Sequence, residues 1–190
     1  MKKATTIAVD VAQAVLEVAV SHRPGQVAAR HRLQRSEVLS FFAQQPQATV
    51  LLEACGSASF WAREIERLGH GIVLLPPQHV RRYRTRNKTD RADAKALLEA
   101  FRNEEIRAVP AKTPAQQTLA ALHRLRSAWL GTRTARLNTI RGLLREQGLP
   151  IPAGARRVVP QTLTWVEDSE SRLTAARRFV LFEACAEVRE

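Results

Sequence analysis

Four carboxylates in this chain stand where carboxylates are costly or crowded. Asp10 interrupts the apolar run TIAVDVA, and Glu53 falls near the end of the apolar run ATVLLEA. An acid in an apolar strand is expensive unless its charge is compensated. Asp90 and Asp93, within NKTDRADA, are three positions apart, which makes them repelling neighbours on a helix face. Asp10 is the hardest to dismiss, because its strand is otherwise almost uniformly apolar; the other three have ordinary explanations. Asp90 suits a helix N-terminus, where it complements the dipole; Asp93 suits a solvated face, and Glu53 a cap for the helix that follows. The conjunction suggests more: two strand-end acids and an acid pair on one helix face. Such a set, with no His or Cys at ligand spacing, favours hard, oxygen-loving ions, Mg²⁺ or Mn²⁺. Two such ions about 4 Å apart activate an attacking oxygen and stabilise a leaving one in phosphodiester chemistry.

Those residues need a scaffold, and the hydrophobic pattern supplies one. Thr6 to Ala12 and Val15 to His22 read as neighbouring strands, RPGQ as a turn, and the segment starting at Gln26 as a third, more exposed strand. Ser36 is placed to cap a short helix, SEVLSFFAQQ. Ala48 to Ala54 and GIVLLPP read as buried strands, the latter stopped by its prolines, with a helix from Ser57 to Leu68 between them. The order is that of a mixed α/β sheet covered by helices. If the first and fourth strands are adjacent, Asp10 and Glu53 lie side by side at the carboxyl ends, where open α/β sheets form ligand sites. A helix from about Thr89 to Phe101 follows, then a long helical pattern from Pro114 to about Gln147 and a last one from about Gln161 to Arg189. The domain expectation is a globular unit over 1–110 and a helical extension over 111–190.

Thirty Lys plus Arg against eighteen Asp plus Glu leave a formal net charge of +12, which points to a polyanionic partner, nucleic acid before an anionic membrane. The run Arg81, Arg82, Arg84, Arg86, Lys88 and Arg91 is the densest basic stretch and lies beside the aspartates. The long helix places Leu119, Leu122, Arg126, Trp129, Arg133, Arg136, Ile140 and Leu143 at three-four spacing, so its seam is part apolar and part guanidinium. Arg126, Arg133, Arg136 and Arg141 are therefore candidate phosphate contacts, with snorkelling along a partner helix as the alternative. The N-terminal MKK and its apolar stretch imitate an export signal, but Asp10 and Glu17 interrupt it. No run reaches the roughly 18 apolar residues of a membrane span. Cys55 and Cys185, far apart, fit reduced thiols in a cytoplasm.

The stretches VDVAQAVLEVAV, EACGSASFWAREIERLGH, LLPPQHVRRYRTRNKTDRADAKALLEA and LHRLRSAWLGTRTARLNTIRGLLREQG, over about residues 6 to 148, resemble IS110-type transposases. The resemblance implies a RuvC-like, ribonuclease-H-type domain in which Asp10, Glu53, Asp90 and Asp93 are the metal-binding, catalytic DEDD set. It implies a DNA transposase or recombinase acting with Mg²⁺ or Mn²⁺ and guided by a structured RNA of its own element; the apolar ends of the long helix, read from its spacing, point separately to homo-oligomers through the helical extension. It also implies a C-terminal domain supplying a serine nucleophile, expected beyond Glu190. The family's basic or His residue shortly after the first Asp is replaced here by Ala12 and Gln13. Two rival readings accompany this one: a non-catalytic, dimerising nucleic-acid-binding fragment, and a RuvC-type junction-resolving nuclease.

Overall fold

The computed structural model describes residues 5–24, 26–84 and 90–189, with only the backbone for 90–92 and 189. The chain divides into two compact units, Met1–Pro114 and Ala115–Glu190. The first unit is built on five strands: β1 (Thr6–Val11), β2 (Val15–Ser21), β3 (Ala29–Gln34), β4 (Thr49–Glu53) and β5 (Gly71–Leu75). Their order in the sheet is β3-β2-β1-β4-β5. The hairpin-linked strands β1, β2 and β3 pair antiparallel, whereas β4 runs parallel to both β1 and β5. Parallel neighbours need a crossover connection. Helix α1 (Val38–Ala43) lies on the route from β3 to β4, and α2 (Ala58–Arg67) links β4 to β5.

Side chains alternate across a strand, so each strand feeds two cores. Ile7, Val9, Leu16, Val18, Val50 and Leu52 point to one face, where Val38 and Phe42 of α1 and Trp61, Ala62 and Ile65 of α2 cover them. Ala8, Ala19 and Leu51 point to the other, against Ala94, Leu97 and Leu98 of α4 (Asp90–Phe101). The small residues Ala8 and Ala19, directly opposite each other, leave room for α4. His70 joins the first core to its edges: its Nε2 lies 3.0 Å from the Phe42 carbonyl, and its Nδ1 accepts the Ala48 N–H at 3.3 Å.

Several local expectations change. The third strand begins at Ala29, because Gln26 is spent on a bridge to Arg23. Glu37, not Ser36, caps α1, and its carboxylate accepts the Gln34 N–H at 2.7 Å. The prolines after β5 do not simply stop it: Pro77 opens a short helix, α3 (Pro77–Val80), a position where the missing N–H costs nothing.

In the second unit α5 (Pro114–Arg145) is followed by α6 (Ala155–Glu167) and α7 (Ala175–Arg189). The single helix expected from about Gln161 to Arg189 is thus two. Its start was hidden by Pro160, which lies inside α6. Its break is organised by Arg178, whose guanidinium and Nε donate to the carbonyls of Val166, Ser169 and Leu173 at 3.0–3.2 Å. Leu137, Ile140 and Leu144 of α5 pack with Val158, Leu181 and Cys185. The packed stripe therefore shares Ile140 and the half-buried Leu143 with the predicted seam but runs through Leu137 and Leu144. Leu119, Leu122 and Trp129 are exposed.

Candidate functional site

Asp10 and Glu53 are each one residue beyond the last paired residues of β1 and β4, Val9 and Leu52. By alternation both share the face of Ala8 and Leu51, the face that α4 covers. The sheet thus brings the two strand acids together on neighbouring parallel strands, as the sequence leads one to expect. Local bonds fix both ends. The Ala54 N–H donates to the Leu75 carbonyl at 2.8 Å, tying the turn after Glu53 to β5. Arg35 donates to the carbonyls of Ala12 and Gln13, both at 3.1 Å, pinning the turn after Asp10, while its guanidinium lies 5.2 Å over the Trp61 ring.

Asp93 reaches the same place from α4. It is 6% exposed, one turn from the helix start, where the dipole favours an anion. The link to Glu53 is Arg84. Its Nη2 donates to Glu53 Oε2 at 2.7 Å, and its Nε stands 2.9 Å from Asp93 Oδ1. The second contact is close but poorly aimed: among the described residues neither Arg84 Nε nor Asp93 Oδ1 has a directed hydrogen bond. Arg84 follows a 3₁₀ turn, Arg81–Tyr83, which is strutted against the end of α4 by Asn103 Nδ2 donating to the Tyr83 hydroxyl at 3.0 Å.

Glu17, which in the sequence only interrupts an apolar run, is brought next to these acids. It sits opposite Asp10 in register and, by alternation, on the same face. Its cross-strand partner Arg32 approaches to 3.6 Å. The period-two pattern of Val15 to Ser21, combined with pairing to the Asp10 strand, carried the signal.

The remaining candidates are placed as follows. Asp90 and Arg91 lie in the first turn of α4, with side chains outside the described residues, as are Arg86 and Lys88 altogether. Arg81 and Arg82 are exposed. Arg84, expected to meet phosphate, is turned onto the two acids. Arg126 and Arg133 are exposed on α5. Arg136 pairs with Glu187 at 2.9 Å, and Arg141 donates to Asn138 Oδ1 and the Gly154 carbonyl.

A divalent ion suits this donor set. Glu53 and Asp93 offer only carboxylate oxygens, the ligands of Mg²⁺ and Mn²⁺. The Arg84 guanidinium stands between them, among the described residues, where such an ion's charge would lie. Asp93 Oδ1 is left without a directed donor. Among the described residues no three acidic, His or Cys side chains are gathered to hold an ion. No described helix is long and apolar enough to cross a membrane.

A family model described as "Transposase", that of IS110-type transposases with the DEDD motif, matches residues 7–148. The "Probable family 20 transposase" of Pseudomonas aeruginosa is 43% identical over 143 residues, 75% of this chain and 42% of that protein. The transposase for insertion sequence element IS1111A of Coxiella burnetii is 38% identical over 157 residues, covering 83% of this chain and 43% of the relative. The transposase for IS1328 of Yersinia enterocolitica is 33% identical over 170 residues, 90% of this chain and 51% of the relative. The chain thus spans about half, or less, of the length of these curated relatives.

Proposed function

The chain belongs to the IS110 family of transposases, and on that premise we propose that its first unit is the DEDD catalytic domain of a DNA strand-transfer enzyme. The observation that carries this reading is the sharing of one cation by Glu53 and Asp93 at the carboxyl edge of the sheet, beside Asp10. Asp10, Glu53 and Asp93, with Asp90 from the same helix turn, would hold Mg²⁺ or Mn²⁺. Once bound, two such ions polarise a phosphodiester and stabilise the leaving oxygen.

The chain's own residues position that chemistry. The β1–β4 pairing sets Asp10 beside Glu53, Arg35 holds the turn after Asp10, and α4 delivers Asp93. Exposed Arg81, Arg82, Arg126 and Arg133, together with Arg86, Lys88 and Arg91, supply positive charge for phosphates of DNA and of a structured guide RNA. Such contacts fix position and affinity rather than sequence. The apolar side chains left exposed on α5, Leu119, Leu122, Leu125, Trp129 and Leu130, support self-association through that helix. The serine nucleophile of the full reaction would come from the C-terminal domain that the family resemblance implies.

One observation favours the rival of a non-catalytic binding fragment: Arg84 already neutralises much of the charge on Glu53 and Asp93, as a structural ion pair would. A strand-transfer assay separates the two. The 190-residue chain is mixed with a family C-terminal domain, DNA, the element's RNA and Mg²⁺. Transfer that disappears in Asp10→Ala and Glu53→Ala supports the catalytic reading; transfer undiminished by either substitution refutes it.

A further inference from the structure

Arg84 is an unusual neighbour for a pair of prospective metal ligands. Its side chain is 24% exposed, that of Glu53 15% and that of Asp93 9%, so solvent screens these charges only partly. A guanidinium is a planar fork whose best match is one carboxylate gripped by two parallel N–H bonds. Here it is stretched across two carboxylates on different elements, β4 and α4, and donates a directed bond to Glu53, while among the described residues its Nε and the facing Asp93 Oδ1 have none. A divalent ion, with twice the charge and no N–H to aim, serves the ill-matched Asp93 oxygen better. The attachment of Arg84 also allows departure. Its backbone is extended (φ −74°, ψ 130°) just past the 3₁₀ turn, and that turn is held by Tyr83 and Asn103 rather than by the guanidinium. The long side chain can leave while the backbone stays.

We propose that Arg84 is the resident counter-cation of this site and competes with the divalent ion for Glu53 and Asp93. Resting on the metal-site reading, the inference adds an order of events. Arg84 holds the two acids together in the metal-free protein, must leave them before an ion is bound, and is then free to take a phosphate oxygen. Because phosphate and ion each favour the released guanidinium, each strengthens binding of the other, and the coupling is reciprocal.

Mn²⁺ titration of the 190-residue chain, followed by the electron paramagnetic resonance of the free ion, tests this with wild type, Arg84→Gln and Glu53→Ala. Removing a competitor that fills the site most of the time raises apparent affinity about tenfold or more, so Arg84→Gln is expected to bind Mn²⁺ at least that much more tightly than wild type. Equal or weaker binding by a folded Arg84→Gln, with wild type still binding and Glu53→Ala not, overturns the competition and leaves the metal site standing. Absence of Mn²⁺ binding in both wild type and a folded Arg84→Gln overturns both. A measurement on the unaltered chain guards against misfolding of the variant: the Arg84 Nε–H resonance, followed during Mg²⁺ titration, is expected to shift and lose protection from solvent exchange. A signal unmoved at saturating Mg²⁺ would overturn the proposal.

Discussion

Asp10 on β1 and Glu17 on β2 stand directly opposite one another across the hairpin, on the face that α4 covers. Like charges in that position destabilise a sheet unless a cation is near. Among the described residues Arg32, 3.6 Å from Glu17 and largely exposed, offers Glu17 weak compensation. Glu17 therefore adds negative potential to the place where Asp10 meets Glu53. Glu17→Gln is expected to leave the fold intact and weaken Mn²⁺ binding about three- to tenfold, the scale of one unit charge at a few ångströms in a partly screened site. Calorimetric titration reads this directly, and unchanged affinity would remove Glu17 from the site's field.

The Tyr83–Asn103 hydrogen bond, 3.0 Å long, ties the turn carrying Arg84 to the end of α4. Tyr83→Phe keeps the ring and deletes the hydroxyl. Urea denaturation is expected to show a loss of about 1 kcal/mol, the usual net worth of one such bond. A neutral substitution would mean that the turn is held by its packing alone.

Arg178 sets the α6–α7 connection through carbonyls that a lysine could not reach together. Arg178→Ala and Arg178→Lys are both expected to destabilise the second unit by about 2–3 kcal/mol, the range for hydrogen bonds to charged groups. Recovery in the lysine variant would show that charge, and not the fork, is what the turn needs.

Exposed Arg81 and Arg82 are predicted to contact phosphate. If about six phosphates are neutralised, the slope of log affinity against log salt for duplex DNA is roughly −5, and replacing both arginines by Ala flattens it by about two units. Without divalent ions Arg84→Ala changes that slope less than either exposed arginine does, because Arg84 is engaged with Glu53 and Asp93. Equal effects of all three would place Arg84 on the nucleic acid.

The sequence made the strand acids legible because an acid in an apolar run is conspicuous and strand periodicity says where it points. Asp10 and Glu53 came together for that reason. The helix pair was half legible: the spacing of Asp90 and Asp93 put both on α4, but nothing in the spacing announced that Arg84 would fold back onto Asp93. That contact depends on a 3₁₀ turn held by Asn103, twenty residues away. Pro160 concealed the start of α6 because an interior proline reads as a stop, although its lost bond falls within the first turns. The break before α7 depends on one side chain, Arg178, gathering carbonyls from both sides of it, and local propensity carries no trace of that.

The most direct measurement is crystallographic: crystals of the chain grown or soaked in Mn²⁺, with diffraction recorded for the anomalous signal of the metal. An anomalous peak is expected among the carboxylates of Asp10, Glu53 and Asp93, with the Arg84 guanidinium swung away from both Glu53 and Asp93. A map without a peak there, with Arg84 still bridging the two acids at saturating Mn²⁺, would contradict it.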